Sequence, residues 1–436
     1  MKLPWKEKER QQRPNKQMKK IVCFGPGPKF KGGISNYNTS LAKAFDKRDD
    51  CEVHIVSWTV QYPAIVPREF VDKSSKTDLL EGTNINVKYI TNYNNPFSWK
   101  ATADYIASLK PDIVIFQWAI AIQGIPLGRI AKRLKKHKEI EVIFDLHFVI
   151  QKEGSSLDNK LTKRGIKHAD NYIVHALKTK GELDELFGKN HEYNTTGKRP
   201  NPKTVIKLYH PIYDLFKPDP NFNIEAFKKE NNLAENVFLF FGFIRKYKGL
   251  HFAIEAFSKV AAKRNDVSFL ICGESFWNTV DKSKLKNKIK SFLFGIAKGA
   301  FLKKKDDEGD YRPLELIKKY GLENRTMVVN TFVPNEDLPS YFQVSDAVVL
   351  FYEYATPSGI ESLSYNFKKP LLATKVGHFP ETIDDGFNGL LAEAENTDDM
   401  AKVMEAFLDN PLNPNNVAEK TKDMSWENYA IAILNR

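Results

Sequence analysis

The sequence predicts an α/β protein with two doubly wound parallel sheets that face each other across a cleft. Two observations carry this. Short apolar, β-branched runs alternate with helical stretches in two separate series, divided near residues 200–215. The chain also has 436 residues, which is too long for one ordinary core and suits two domains of roughly 200 residues each.

In the first series, strands are expected at Lys20–Phe24, Val53–Trp58, Asp112–Phe116, Glu141–Asp145 and Asn171–His175. Helices are expected at Ser35–Phe45 and Thr102–Leu109. The strand runs are continuously apolar rather than alternating, as parallel strands covered on both faces require. The second series places strands at Val237–Phe241, Ser268–Cys272, Met327–Val329, Ala347–Phe351 and Leu371–Thr374, with helices at Phe252–Arg264, Leu314–Tyr320 and Met400–Leu408. The expected division is a first domain over 21–205 and a second over 206–436, with a basic, disordered arm over 1–20. Ligands of such sheets bind beyond the carboxyl ends of the strands, so the cleft is the expected site.

Composition is that of a globular chain, with 42% hydrophobic and 28% charged residues. The three cysteines, Cys23, Cys51 and Cys272, are too widely spaced for a disulfide framework or a CxxC pair, which suits a reducing compartment. The first twenty residues are polar and basic, without the apolar segment of a secretory signal. No stretch approaches the roughly 18 apolar residues of a membrane span. Cytoplasmic localisation is therefore expected. The formal net charge of +12 fits anionic substrates, an anionic membrane or nucleic acid. Nucleic acid is not the expected partner, because zinc-finger spacing and basic stretches interleaved with aromatics are both missing.

One segment breaks the rhythm. Lys282–Lys305 carries nine lysines and no acid, and Leu285, Ile289, Phe292, Leu293 and Ile296 recur at helical spacing. It lies within a basic insertion over 278–312. Such a helix can lie on an anionic membrane surface, or its apolar residues can pack on the second domain.

Three clusters carry chemistry. GPGPKFKGGISNY (Gly25–Tyr37) joins a strand to a helix; its glycines let backbone approach a ligand, and the helix N-terminus favours anions. It is neither GxGxxG nor a Walker loop. FFGFIRKYKGL (Phe240–Leu250) places Arg245 and Lys248 at a strand's carboxyl end before a helix, a suitable diphosphate clamp or else a solvated basic turn. FYEYATPSGIESL (Phe351–Leu363) spaces Glu353 and Glu361 eight residues apart around a Thr-Pro-Ser-Gly turn. Carboxylates suit sugar diols, and small residues between them can offer backbone N–H groups to phosphate.

Taken together, these elements resemble the retaining glycosyltransferases of family 4 (glycosyl transferases group 1) over nearly the whole chain. The matching pieces are Gly-Gly-Ile-x-x-Tyr at Gly32–Tyr37, His147 in FDLHFV, ADNYIVH at Ala169–His175 and YHPIYDLF at Tyr209–Phe216. The Gly-x-x-Arg-x-x-Lys-Gly run ending at Gly249, the Glu353/Glu361 pair and VGHFPETIDDGFNGLL at Val376–Leu391 complete the set. The resemblance implies the GT-B fold, two facing Rossmann-like domains. It also implies a nucleotide-sugar donor, UDP- or GDP-linked, and a glycan or lipid-linked acceptor, with no cofactor and no metal. Arg245, Lys248, Glu353 and His147 would carry the chemistry. Gly32, Gly33, Arg245, Lys248, Glu353, Ser358, Gly359, Ile360 and Glu361 would hold the donor. Polysaccharide biosynthesis and a peripheral position on the inner face of the membrane follow as expectations. The chain departs from the family where Tyr354, Ala355 and Thr356 replace the usual Gly-Phe-Gly, and in a longer stretch between Glu361 and Pro370. Another GT-B reaction, such as nucleotide-sugar epimerisation, and a non-catalytic binding protein are the alternatives.

Overall fold

A computed structural model describes residues 18–62, 70–150, 156–275, 311–357 and 359–435. Ser358, the segment Lys282–Lys305 and most of the N-terminal arm lie outside the described residues.

The first sheet holds β1 (Lys19–Phe24), β2 (Cys51–Val60), β3 (Asn86–Asn92), β4 (Ile113–Trp118), β5 (Glu141–Leu146), β6 (Asn171–Val174), β7 (Tyr193–Asn194) and β8 (Val205–Lys207). They run in the order β3-β2-β1-β4-β5-β6-β8-β7, and every pairing is parallel. The second sheet holds β9 (Asn236–Phe241), β10 (Val267–Cys272), β11 (Thr326–Val329), β12 (Ala347–Leu350), β13 (Leu371–Thr374) and β14 (Gly389–Ala392). Its order is β11-β10-β9-β12-β13-β14, again all parallel. The strand order reverses between β1 and β4 and between β9 and β12. At such switch points the crossover helices diverge and leave a crevice at the carboxyl edge.

Both faces of each sheet are covered, which is why the strands read as unbroken apolar runs. In β1, Ile21 and Cys23 join one core cluster while Val22 and Phe24 join another. Helix α1 (Gly33–Asp46) covers the first face with Tyr37, Leu41 and Phe45, all fully buried at helical spacing. Helices α2 (Pro96–Ser108), α3 (Gly124–Leu134) and α4 (Ser156–Ile166) cover the opposite face. α5 (Leu177–Phe187) and α6 (Ile224–Glu230) lead toward the second sheet. That sheet is flanked by α7 (Leu250–Ala261), α8 (Glu315–Lys319), α9 (Leu338–Val344), α10 (Gly359–Asn366), α11 (Phe379–Thr382) and α12 (Thr397–Asp409). The chain closes with α13 (Pro414–Thr421) and α14 (Trp426–Leu434).

Elements cross the expected domain limits in three places. β1 begins at Lys19, inside the expected arm. A boundary after residue 205 cuts through β8, which pairs with β6. Most tellingly, α14 returns to the first domain. The ring of Trp426 lies 4.9 Å from that of Tyr37, and the Tyr429 hydroxyl donates to Asp145 Oδ2 at 3.1 Å. One core cluster therefore runs through both domains, from Ile21 to Val237 and Tyr429. Tyr311, near the end of the 278–312 insertion, anchors on α7 through a 2.9 Å contact between its hydroxyl and His251 Nδ1.

Candidate active site

The crevices of the two sheets face each other. On the first domain, the loop after β1 turns through Gly32, whose φ of +105° is a conformation that side chains resist. Earlier in the loop a Cβ on Gly25 would sit 2.8 Å from Gln117 Cγ, so the loop lies close against the end of β4. Gly33 opens α1, and its carbonyl accepts a 2.8 Å hydrogen bond from the Tyr213 hydroxyl.

On the second domain, β9 ends at Phe241 and the chain turns through Gly242 (φ +100°) and Gly249 (φ +63°). A Cβ on Gly249 would meet the carbonyl oxygen of Phe351 at 1.8 Å, so this turn is tucked beneath the end of β12. The Glu353 N–H donates to the Tyr247 carbonyl at 2.8 Å. Glu353 is thereby fixed to the same turn that carries Arg245 and Lys248. Its carboxylate stands 3.9 Å from His251 Nε2. The Arg245 guanidinium lies 5.1 Å from the centre of the Tyr247 ring.

Lys248 is 8% exposed. Burial, with Arg245 beside it as the second cause, pushes its amine down to about 7. It makes no ion pair among the described residues. A buried cation beside a second cation is costly unless something anionic joins it. The geometry is that of an anion site.

A cavity of ≈ 220 Å³ lies between the domains. Phe30, Gly32 and Gly33 line it from the first domain; Gly242, Lys248, Gly359 and Ile360 line it from the second. The first turns of α1 and α10 both reach it, and two helix N-termini favour an anion there. Thr331, Phe332 and Val333 form a further wall. Lys31 spans the gap, its Nζ 4.5 Å from the Phe332 ring. Asp72 and Glu274 bring carboxylates to the same cavity, and Asp72 is engaged by the N–H groups of Ser74 and Ser75.

Arg245, Glu353, Glu361 and His147 do not line this cavity. Glu361 sits in the first turn of α10, only 4% exposed. Its Oε2 is bonded to His378 Nε2 and its Oε1 accepts from the Tyr365 hydroxyl at 3.1 Å. Burial opposes its charge, yet His378 and the hydrogen bonds hold the carboxyl below its ordinary range.

His147 directly follows β5, 5% exposed, with Nε2 2.8 Å from Gln117 Oε1. Burial lowers its imidazole to about 4, against the opposing pull of Asp145. His175 and His210, left out of the sequence-predicted site, stand in the same cluster. His175 Nε2 meets Asp145 Oδ1 at 2.8 Å, and His210 Nδ1 meets the Ser362 hydroxyl at 2.7 Å. His210 thereby ties the inter-domain connection to α10. Tyr213 lines the cavity and was missed by sequence reasoning; its one signal was its place in YHPIYDLF.

Two doubly wound parallel domains that face each other across a cleft form the GT-B architecture. Residues 221–424, most of the second domain, match the family model of Glycosyl transferases group 1. Over 198 residues, 45% of this chain, the sequence is 24% identical to an α-D-kanosaminyltransferase of Streptomyces kanamyceticus. Over 69 residues, 15% of this chain, it is 38% identical to an uncharacterized glycosyltransferase of Methanocaldococcus jannaschii. These segments span 42% and 20% of the relatives' own lengths. The fold matches Anabaena HepE in complex with UDP-glucose, with a TM-score of 0.62 and 18% identity over 95% of this chain and 98% of that one. It also matches the sucrose-phosphate synthase of Thermosynechococcus elongatus, with a TM-score of 0.61 and 15% identity over 95% of this chain and 97% of that one. Among the described residues, no helix is long and apolar enough to cross a membrane.

Proposed function

We propose that the chain is a retaining, metal-independent hexosyltransferase of the cytoplasm. It moves a sugar from a UDP- or GDP-sugar to a glycan or lipid-linked acceptor. The observation that carries this reading is Lys248: a buried amine without an ion pair among the described residues, beside Arg245, at the second sheet's switch point, in a cavity that two helix N-termini reach. As the sugar–phosphate bond breaks, charge grows on the departing diphosphate. Fixed cations and N–H dipoles stabilise that charge more than the bound ground state.

In this reading, Gly32, Gly33, Ser358, Gly359 and Ile360 offer backbone N–H groups to the phosphates. Glu353 contacts the sugar, and Glu361, whose carboxylate is bonded to His378 and Tyr365 here, reaches the nucleotide ribose once those bonds open. His147, neutral at physiological pH, contacts the sugar from the opposite domain. HepE, solved with UDP-glucose, supports a nucleotide-hexose donor. The lysine-rich segment Lys282–Lys305 holds the enzyme at an anionic membrane surface. The test is a panel of UDP- and GDP-sugars read by thermal unfolding. A matching donor at 100 times its Kd adds about 2.7 kcal/mol of stability; no response to any nucleotide or nucleotide-sugar would count against the reading.

A further inference from the structure

The outer surface of the first domain carries a second feature, remote from the cavity. Helices α2, α3 and α4 form one layer, and close backbone approaches bind it together. A Cβ on Gly124 would meet the carbonyl oxygen of Leu161 at 2.3 Å, and one on Gly128 would meet that of Arg164 at 2.5 Å. Glycines therefore let α3 and α4 touch, and their outward cations merge into one surface. Lys100, Arg129, Lys132 and Lys136 line one depression on it. Arg129 and Lys132 continue into a second depression with Arg164 and Lys167.

The acids on these three helices are Asp104 and Asp158. Asp104 pairs with Lys100 and Arg133, at 3.2 and 2.7 Å. Arg129, Lys132, Lys136, Arg164 and Lys167 make no ion pair among the described residues. His168 reports the field: burial lowers its imidazole first, and Lys167 and Lys132 lower it further. Such a cluster repels itself, and an anionic partner relieves the repulsion.

The apolar residues identify the partner. Each of the three helices starts at the carboxyl edge of the sheet, the edge that opens on the cleft. Each exposes a large apolar side chain in its first turn: Phe97 (83% exposed), Ile125 (37%) and Leu157 (40%). A polyanion in water has no use for these side chains. A lipid bilayer takes both parts, cations among the headgroups and apolar tips at the acyl boundary.

We propose that the α2–α3–α4 face of the first domain docks the protein on an anionic lipid bilayer, with Phe97, Ile125 and Leu157 inserted and the acceptor side of the cleft at the membrane. This stands on the surface alone and holds whichever donor is used. The full chain is sedimented with phosphatidylcholine vesicles with and without phosphatidylglycerol. Binding is expected only with phosphatidylglycerol. The triple variant Arg129→Glu/Lys132→Glu/Lys136→Glu should weaken it by about tenfold or more, and Phe97→Ser/Ile125→Ser several-fold, with unchanged thermal unfolding. All these side chains except Ile125, at the margin, are well exposed, and the apolar pair decides the matter if the charge variant fails to fold. Unchanged vesicle binding by either folded variant would overturn the proposal. So would equal capture by soluble heparin that Phe97→Ser/Ile125→Ser leaves intact, which would make the face a polyanion site. If reversing Lys282, Lys284, Lys286, Lys288 and Lys290 to Glu abolishes all binding while the α3 variants lose none, the lysine-rich segment holds the membrane without this face and the proposal is overturned.

Discussion

The Tyr213 hydroxyl donates to the Gly33 carbonyl oxygen at 2.8 Å, while the Tyr213 ring lies where a side chain on Gly359 would need to be. A Cβ on Gly359 would stand 2.9 Å from Tyr213 Cε2. One tyrosine from the inter-domain connection thus spaces the first residues of α1 and α10, the two helices whose N-termini reach the cavity. Tyr213→Phe should keep the fold, lose about 0.5–1.5 kcal/mol of stability and raise the donor KM more than it lowers kcat. Gly359→Ala, which pushes the ring aside, should raise the donor KM further. Unfolding curves and steady-state kinetics check both.

If Lys248 holds the donor's diphosphate, donor binding is sensitive to pH. Its amine, near 7 in the folded protein, lies below the ordinary lysine value of 10.5. Between these values the unfolded chain holds a proton that the folded chain releases, so Lys248's contribution to stability rises with pH across that window. Lys248→Met should therefore stabilise the ligand-free protein most below pH 7, with the gain shrinking toward pH 10.5. A bound diphosphate recharges the amine. At pH 8, calorimetry in buffers of different ionisation enthalpy should show proton uptake on donor binding, absent in Lys248→Met.

Activity should survive EDTA unchanged, because side-chain cations hold the diphosphate in this account. Loss with EDTA and recovery with Mn²⁺ or Mg²⁺ would contradict it.

Retention predicts an α-linked product from an α-linked donor. The anomeric coupling in the product's NMR spectrum reads this directly, and a β-linked product would exclude the retaining mechanism.

Much of the fold was legible because its strands are buried on both faces. KIVCF, DIVIF and VFLFF announce themselves as continuous apolar runs and became β1, β4 and β9. β3 was missed because NVKYITN is a half-exposed edge strand whose Lys88 breaks the run. α3 was hidden by Pro126 and two glycines, residues whose local propensity opposes a helix but whose size lets α4 approach. The return of α14 to the first domain could not be read, since sequence order says nothing about where a terminal helix docks. In the site, the spacing of Arg245 and Lys248 was legible because their turn is local. The inward placement of Glu361 was not, because it depends on His378 and Tyr365, partners set by tertiary packing.

The central claim is that Arg245 and Lys248 hold the leaving diphosphate, and turnover measures it most directly. kcat is determined for the parent chain, Arg245→Ala and Lys248→Ala with the nucleotide-sugar that stabilises the parent. The account predicts folded variants slowed by about 10²–10³, or roughly 2.7–4 kcal/mol of lost transition-state stabilisation, by analogy with the removal of an oxyanion donor. Near-parental kcat in both variants would contradict it.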